Sequence, residues 1–164
     1  MDLFILRHGK AGQSSEAPDD NTRALTPAGK KEIRDIARWM QKEKFKFDVI
    51  ASSPLIRASG TADIVARTRD QKDRVVIWDD LAPGGDLDSI CYNAAQSGSA
   101  ATILIVGHEP GLSNLIGKII SKDGTASTIL AKGGLAKIRN FAFENQPSGD
   151  LQWLLTPKQI RAMR

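Results

Sequence analysis

Leu3-Phe4-Ile5-Leu6-Arg7-His8-Gly9 joins an unbroken apolar run to an arginine, a histidine and a glycine. Four apolar residues without polar alternation are the pattern of a strand buried on both faces, as in a parallel sheet covered by helices. Thr102-Ile103-Leu104-Ile105-Val106-Gly107-His108 repeats the arrangement and holds the most strand-like run in the chain. In both stretches the histidine stands two positions past the last apolar residue, Leu6 or Val106. These are the only two histidines in the sequence.

Between and beyond these runs, strand and helix patterns alternate. Thr26-Pro27 reads as an N-cap and first helical position, followed by Ile33, Ile36, Ala37 and Met40 at helical spacing. Phe47 to Ala51 is a second strand. Ser53-Pro54 opens a second helix, with Leu55, Ala58, Ala62, Val65 and Ala66 on one side. Val75 to Trp78 is a third strand, Leu87 to Gln96 a helix, and Leu112 to Ile120 another helix. Two further strands fall within residues 134–143 and 151–155 with no helix between them, and the tail after Pro157 forms a short helix. Successive βα units predict one three-layer α/β domain over residues 1–164. Its central sheet is mainly parallel with an antiparallel edge, and helices cover both faces. The polar stretch from Gly9 to Ala24 is long for a connection, and such loops tend to be functional. The segment from Lys122 to Gly133 reads as a surface loop with no assigned role.

Composition narrows the function classes. The 164 residues suffice for one substantial core, and 41% hydrophobic with 26% charged residues is ordinary for a soluble globular protein. No apolar run approaches the roughly 20 residues that span a bilayer, so no membrane partner is expected. The first residues lack the basic and small-residue signals of a secretory leader. The single cysteine, Cys91, has no disulfide or CxxC partner, which fits a reducing cytoplasm. The net charge of +4 is dispersed. Its densest stretch, Lys42 to Lys46, reads as a solvated helix end rather than a nucleic-acid platform, so no nucleic-acid partner is expected.

The histidines and two arginines carry the chemistry. Ligands of open parallel sheets bind outside the carboxyl ends of the strands. If the two histidine-bearing strands are neighbours, both imidazoles reach that edge at similar height. Arg7 precedes His8, and Arg57 falls in the first turn of the second helix, where backbone amides already favour anions. A guanidinium binds phosphate oxygens at two points, which an ammonium cannot do. Taken singly, each of these residues reads as an ordinary loop histidine or solvated arginine. Together, at strand-to-helix transitions, they form a phosphate cradle.

Leu6-Arg7-His8-Gly9 resembles the signature of the histidine phosphatase superfamily, the phosphoglycerate-mutase-like fold. Ser52-Ser53-Pro54-Leu55-Ile56-Arg57-Ala58 is similar to its second motif, and Val106-Gly107-His108-Glu109-Pro110-Gly111 to its third. Leu25-Thr26-Pro27-Ala28-Gly29 resembles the stretch that opens the first helix. The short chain and Leu81-Ala82-Pro83-Gly84-Gly85-Asp86 resemble the compact SixA-type branch, the protein phosphohistidine phosphatases. The resemblance implies His8 as nucleophile, with Arg7, Arg57 and His108 holding the phosphoryl group. Ser14 and Ser15, in the loop after His8, are candidates for one further substrate hydrogen bond. A solvated loop is the competing reading for both.

A coherent mechanism follows from these groups. His8 attacks through a neutral nitrogen, with neighbouring arginines disfavouring its protonation and a backbone carbonyl fixing its second nitrogen. Arg7, Arg57 and a protonated His108 stabilise the transferring group, and water then hydrolyses the phosphohistidine. The sequence has no HxH, HExxH or DxD-like cluster, so neither a metal nor another cofactor is expected. Larger relatives carry a glutamate acid after the third strand; here Asp79 and Asp80 occupy that region, making Asp80 a candidate general acid. Gly60 stands where relatives commonly carry glutamine. The expected substrate is a phosphohistidine-bearing protein. The alternatives are a small-molecule phosphomonoesterase of the same fold and a non-catalytic phosphate-binding module.

Overall fold

The computed structural model describes residues 1–13, 19–121 and 123–163. Six strands form one sheet: β1 (Asp2–Arg7), β2 (Val49–Ser52), β3 (Val75–Ile77), β4 (Thr102–Gly107), β5 (Leu135–Phe143) and β6 (Pro147–Leu155). Their order is β3-β2-β4-β1-β5-β6. β4 runs parallel to both β1 and β2, and β3 parallel to β2, whereas β5 is antiparallel to β1 and to β6. The expected parallel sheet is therefore present, and its antiparallel part is a hairpin. β6 begins at Pro147, earlier than the apolar run at Leu151 suggests. An edge strand need not alternate apolar residues, and it tolerates proline at its first position.

Alternation along β1 and β4 divides the core into two layers. Phe4, Leu6, Ile50, Leu104 and Val106 pack against α1 (Pro27–Lys42), α2 (Ile56–Thr68) and, through Ile160, a short α5 (Pro157–Ala162). Leu3, Ile5, Ala51, Ile103 and Ile105 pack against α3 (Leu87–Ala95) and α4 (Gly111–Ile120) on the other face. Since both faces are covered, Leu3 through Leu6 and Ile103 through Val106 are all buried.

Local signals explain the helix starts. Thr26 caps α1, its hydroxyl accepting from the Gly29 amide at 3.0 Å, with Pro27 at the first position. The second helix starts at Ile56, later than Ser53-Pro54 implies. The Ser53 hydroxyl accepts from Leu55 N at 3.3 Å inside the preceding turn and does not cap the helix. Lys42 to Lys46 ends α1 and is largely exposed, as expected of a solvated helix end. Cys91 is buried, and burial pushes its thiol up to about 12, so the thiolate is suppressed. Among the described residues no helix is long and apolar enough to cross a membrane.

Candidate active site

The register of β1 on β4 decides the site. Leu6 pairs with Val106 and Arg7 with Gly107, and the His8 amide donates to Gly107 O at 3.1 Å. Equal offsets past equivalent strand positions thus bring the two imidazoles side by side, with ring centroids 5.0 Å apart. The helix after β1 covers one face of the sheet and the helix after β4 the other. The chain parts between these two strands, which makes the crevice at their carboxyl ends the topological switch point.

His8 is 6% exposed, and its Nδ1 lies 2.7 Å from the carbonyl oxygen of Gly9. A carbonyl only accepts, so Nδ1 carries the proton and Nε2 keeps a free lone pair. Burial lowers the His8 pKa to about 4, opposed by the Gly9 hydrogen bond and aided by Arg57, Arg7 and Lys132. The sequence points to the arginines as the cause of the neutral ring; loss of hydration is the larger one.

His108 is 5% exposed, and its Nε2 lies 2.8 Å from the Ser53 hydroxyl. Burial, then the charges of His8, Arg57 and Arg7, lower its pKa to about 3, against a raising contribution from Asp20. The lowered pKa favours a neutral ring near pH 7, where the sequence reading expects a protonated one.

Arg57 is 3% exposed and bound to the turn that precedes α1. Its Nη1 donates to the Asp20 carbonyl at 2.7 Å and its Nη2 to the Asp20 carboxylate at 2.9 Å. The same carboxylate pairs with Arg23 at 2.7 Å. Partial desolvation raises the pKa of Asp20, but Arg57 and Arg23 outweigh it and hold the carboxyl below the usual range. Arg7 Nη1 donates to Leu130 O at 3.0 Å. Arg7 Nε, Arg57 Nε and His108 Nδ1 are buried and have no hydrogen-bond partner among the described residues. A buried donor left unpaired costs about 1–3 kcal/mol. Two arginine Nε–H donors and the open His108 Nδ1 at one strand edge can together receive an oxyanion.

The supporting parts were not legible as such in the sequence. The Gly9 amide donates to Thr61 Oγ1 at 3.1 Å, and that hydroxyl donates to Arg57 O at 2.7 Å, linking the histidine loop to α2. The loop over residues 123–133 proves to have a role, because Leu130 holds Arg7 and the Gly133 amide donates to the carbonyls of Arg7 and His8 at 3.2 and 3.1 Å. Gly133 sits at φ +70, a conformation that favours glycine. Asp80 and His108 both line a cleft of roughly 240 Å³ with Pro83, Gly84, Gly85 and Glu109. A larger hollow of about 560 Å³, lined by Lys44, Arg69 and Arg74 near the amino end of β2, contains neither histidine. Ser14 and Ser15 lie outside the described residues.

The sequence pattern of the histidine phosphatase superfamily (branch 1) matches residues 3–83, which hold the first two motifs. Phosphohistidine phosphatase SixA of Escherichia coli (strain K12) is 25% identical over 163 residues, covering 98% of this chain and 97% of its own length. The chain is thus similar to the histidine phosphatase superfamily in sequence pattern. The structure of the protein histidine phosphatase SixA complexed with tungstate superimposes with a TM-score of 0.85 at 24% identity, covering 96% of this chain and 98% of that one. The alpha-ribazole phosphatase of Shigella flexneri shares the fold at a TM-score of 0.73 and 17% identity, covering 96% of this chain and 97% of its own. The likeness to SixA extends beyond residue 83, over 98% of this chain.

Proposed function

We propose that this chain is a phosphohistidine phosphatase of the histidine phosphatase superfamily, acting on a phosphorylated protein. The observation that carries the reading is the free Nε2 of a neutral His8 beside the buried, unpartnered Nε–H groups of Arg7 and Arg57 and the unpartnered Nδ1 of His108. In the proposed reaction, Nε2 forms a bond to phosphorus in line with the scissile N–P bond, whose electron pair leaves on the substrate imidazole. Arg7, Arg57 and His108 receive the equatorial oxygens, so catalysis rests on placement and electrostatics. The Gly9 carbonyl holds Nδ1–H and favours the positive ring of the phosphorylated His8. Water then attacks phosphorus, the N–P bond to His8 breaks and inorganic phosphate leaves.

Leaving-group chemistry supports the nitrogen-linked substrate. An alkoxide leaves as the base of an acid whose pKa is near that of water, about 15.7. An imidazole leaves as the base of an acid of pKa about 6.5. Asp80, the candidate acid, is partly exposed in a single 3-10 turn, Asp79–Leu81, and an imidazole depends less on such an acid than an alkoxide does. One observation favours a second reading. Asp80 shares a cleft with His108, so a phosphomonoesterase of the same fold could use it to protonate an alkoxide.

The test is rapid quench of the enzyme with a phosphohistidine protein, then mapping of acid-labile phosphate. The expected result is label on His8, no label in His8→Asn, and faster turnover of the phosphohistidine donor than of aryl or sugar phosphates. Label elsewhere would overturn the nucleophile; faster ester turnover would favour the second reading.

A further inference from the structure

The second motif carries a group whose work is not explained by phosphate binding. Ser53 is fully buried at the end of β2, one position past the pairing of Ser52 with Val106. Its amide donates to Val106 O at 3.0 Å, which sets the residue beside His108. Its hydroxyl makes two contacts among the described residues: it accepts from Leu55 N at 3.3 Å and meets His108 Nε2 at 2.8 Å.

A serine hydroxyl has one proton and can accept as well as donate. If His108 carried its proton on Nε2, the ring would donate to Ser53, and the hydroxyl proton would have no acceptor. That would bury an unpaired O–H, at a cost of about 1–3 kcal/mol. If the hydroxyl donates to a bare Nε2 instead, the O–H and Nε2 satisfy each other, and one unpaired group remains in place of two. The His108 proton then lies on Nδ1, the ring nitrogen that has no partner among the described residues.

We infer that Ser53 is a positioning residue that fixes His108 as the Nδ1–H tautomer, so that a neutral imidazole donates a hydrogen bond to the transferring phosphoryl group. Both histidines are then held in the same tautomer by opposite devices. The Gly9 carbonyl accepts from His8 Nδ1 and exposes a lone pair; the Ser53 hydroxyl donates to His108 Nε2 and exposes an N–H. One ring becomes a nucleophile and the other an oxyanion donor, without a proton being taken up. The low pKa of His108 accords with this, since no protonated ring is needed. The tautomer assignment stands on geometry, while its catalytic consequence rests on the phosphatase reading above.

With two histidines in the chain, long-range ¹H–¹⁵N correlation of the imidazoles near neutral pH decides the matter, and His8→Asn assigns the signals. The expected spectrum has both rings protonated on Nδ1. A wild-type His108 protonated on Nε2 overturns the inference, even if His8 traps phosphate. Ser53→Ala should shift His108 toward the Nε2–H form and lower kcat for any phosphoryl donor about tenfold, because a mixed tautomer forfeits part of one donor's contribution. Ser53→Thr, which keeps the hydroxyl, should restore both the spectrum and most of the rate. An unchanged tautomer in folded Ser53→Ala would also overturn it. If Ser53→Ala does not fold, the wild-type spectrum still decides. The expected tautomers in a protein that hydrolyses no phosphoryl donor would leave the tautomer assignment standing and sink the phosphatase reading together with the catalytic consequence.

Discussion

Acidification should destabilise this protein early, through its two histidines and before most carboxylates protonate. Their folded-state pKa values, about 4 for His8 and about 3 for His108, lie below the ordinary 6.5. A group depressed in the folded state contributes stability that is present above its unfolded pKa. That contribution is lost as pH falls toward the folded value. At about pH 5 an unfolded histidine is almost wholly protonated while His8 remains mostly neutral, and linkage makes the difference about 2 kcal/mol. His108 contributes a similar amount, although the two are neighbours and need not add. The measurement is denaturant unfolding at about pH 7.5 and about pH 5, on wild type and His8→Asn. Carboxylate titration is common to both chains and cancels, so the variant should lose about 2 kcal/mol less than wild type over that interval. Parallel pH dependence in the two proteins would refute the reasoning, because it would mean that His8 is not held neutral by burial.

Arg57→Ala should lower kcat/KM by roughly 10² to 10³, the loss of one oxyanion donor, measured with a phosphohistidine peptide; a near-wild-type value would remove Arg57 from the cradle. Asp80→Asn should slow ester hydrolysis more than phosphohistidine hydrolysis, since only an alkoxide needs strong protonation; equal losses on both donors would remove the leaving-group rationale. Gly60→Ala should raise stability by about 1 kcal/mol in chemical denaturation, because glycine is costly within a helix. A Cβ at Gly60 would meet Leu25 Cδ1 at an ordinary 3.6 Å, so a destabilised variant would reveal packing that this distance does not.

Much of the fold was legible because its signals are local. The apolar runs at residues 3–6 and 102–106 are continuous, as they must be in strands covered on both faces, and Thr26-Pro27 marks a helix start by its own capping chemistry. Boundaries were less secure where tertiary contacts overrode that chemistry. Ser53 looks like an N-cap, yet its hydroxyl is engaged by Leu55 N and His108, and the helix begins later. The early start of β6 at Pro147 was hidden because an edge strand has a partner on one side and needs no apolar alternation there.

Residue type and offset were enough to nominate His8, Arg7, Arg57 and His108, because strand ends at one sheet edge bring equal offsets to equal height. Ser53 was read from the sequence as a helix opener, and its contact with His108 was not legible there. Asp20, Thr61, Leu130 and Gly133 left no comparable signal. Each acts through hydrogen bonds that include a partner distant in the chain, and such pairings exist only once the chain is folded. The sequence by itself determined which groups reach the crevice. Only the tertiary structure decided their states, because hydration is lost and hydrogen-bond partners are assigned when the elements pack. That step leaves His8 with a lone pair and His108 without a positive charge.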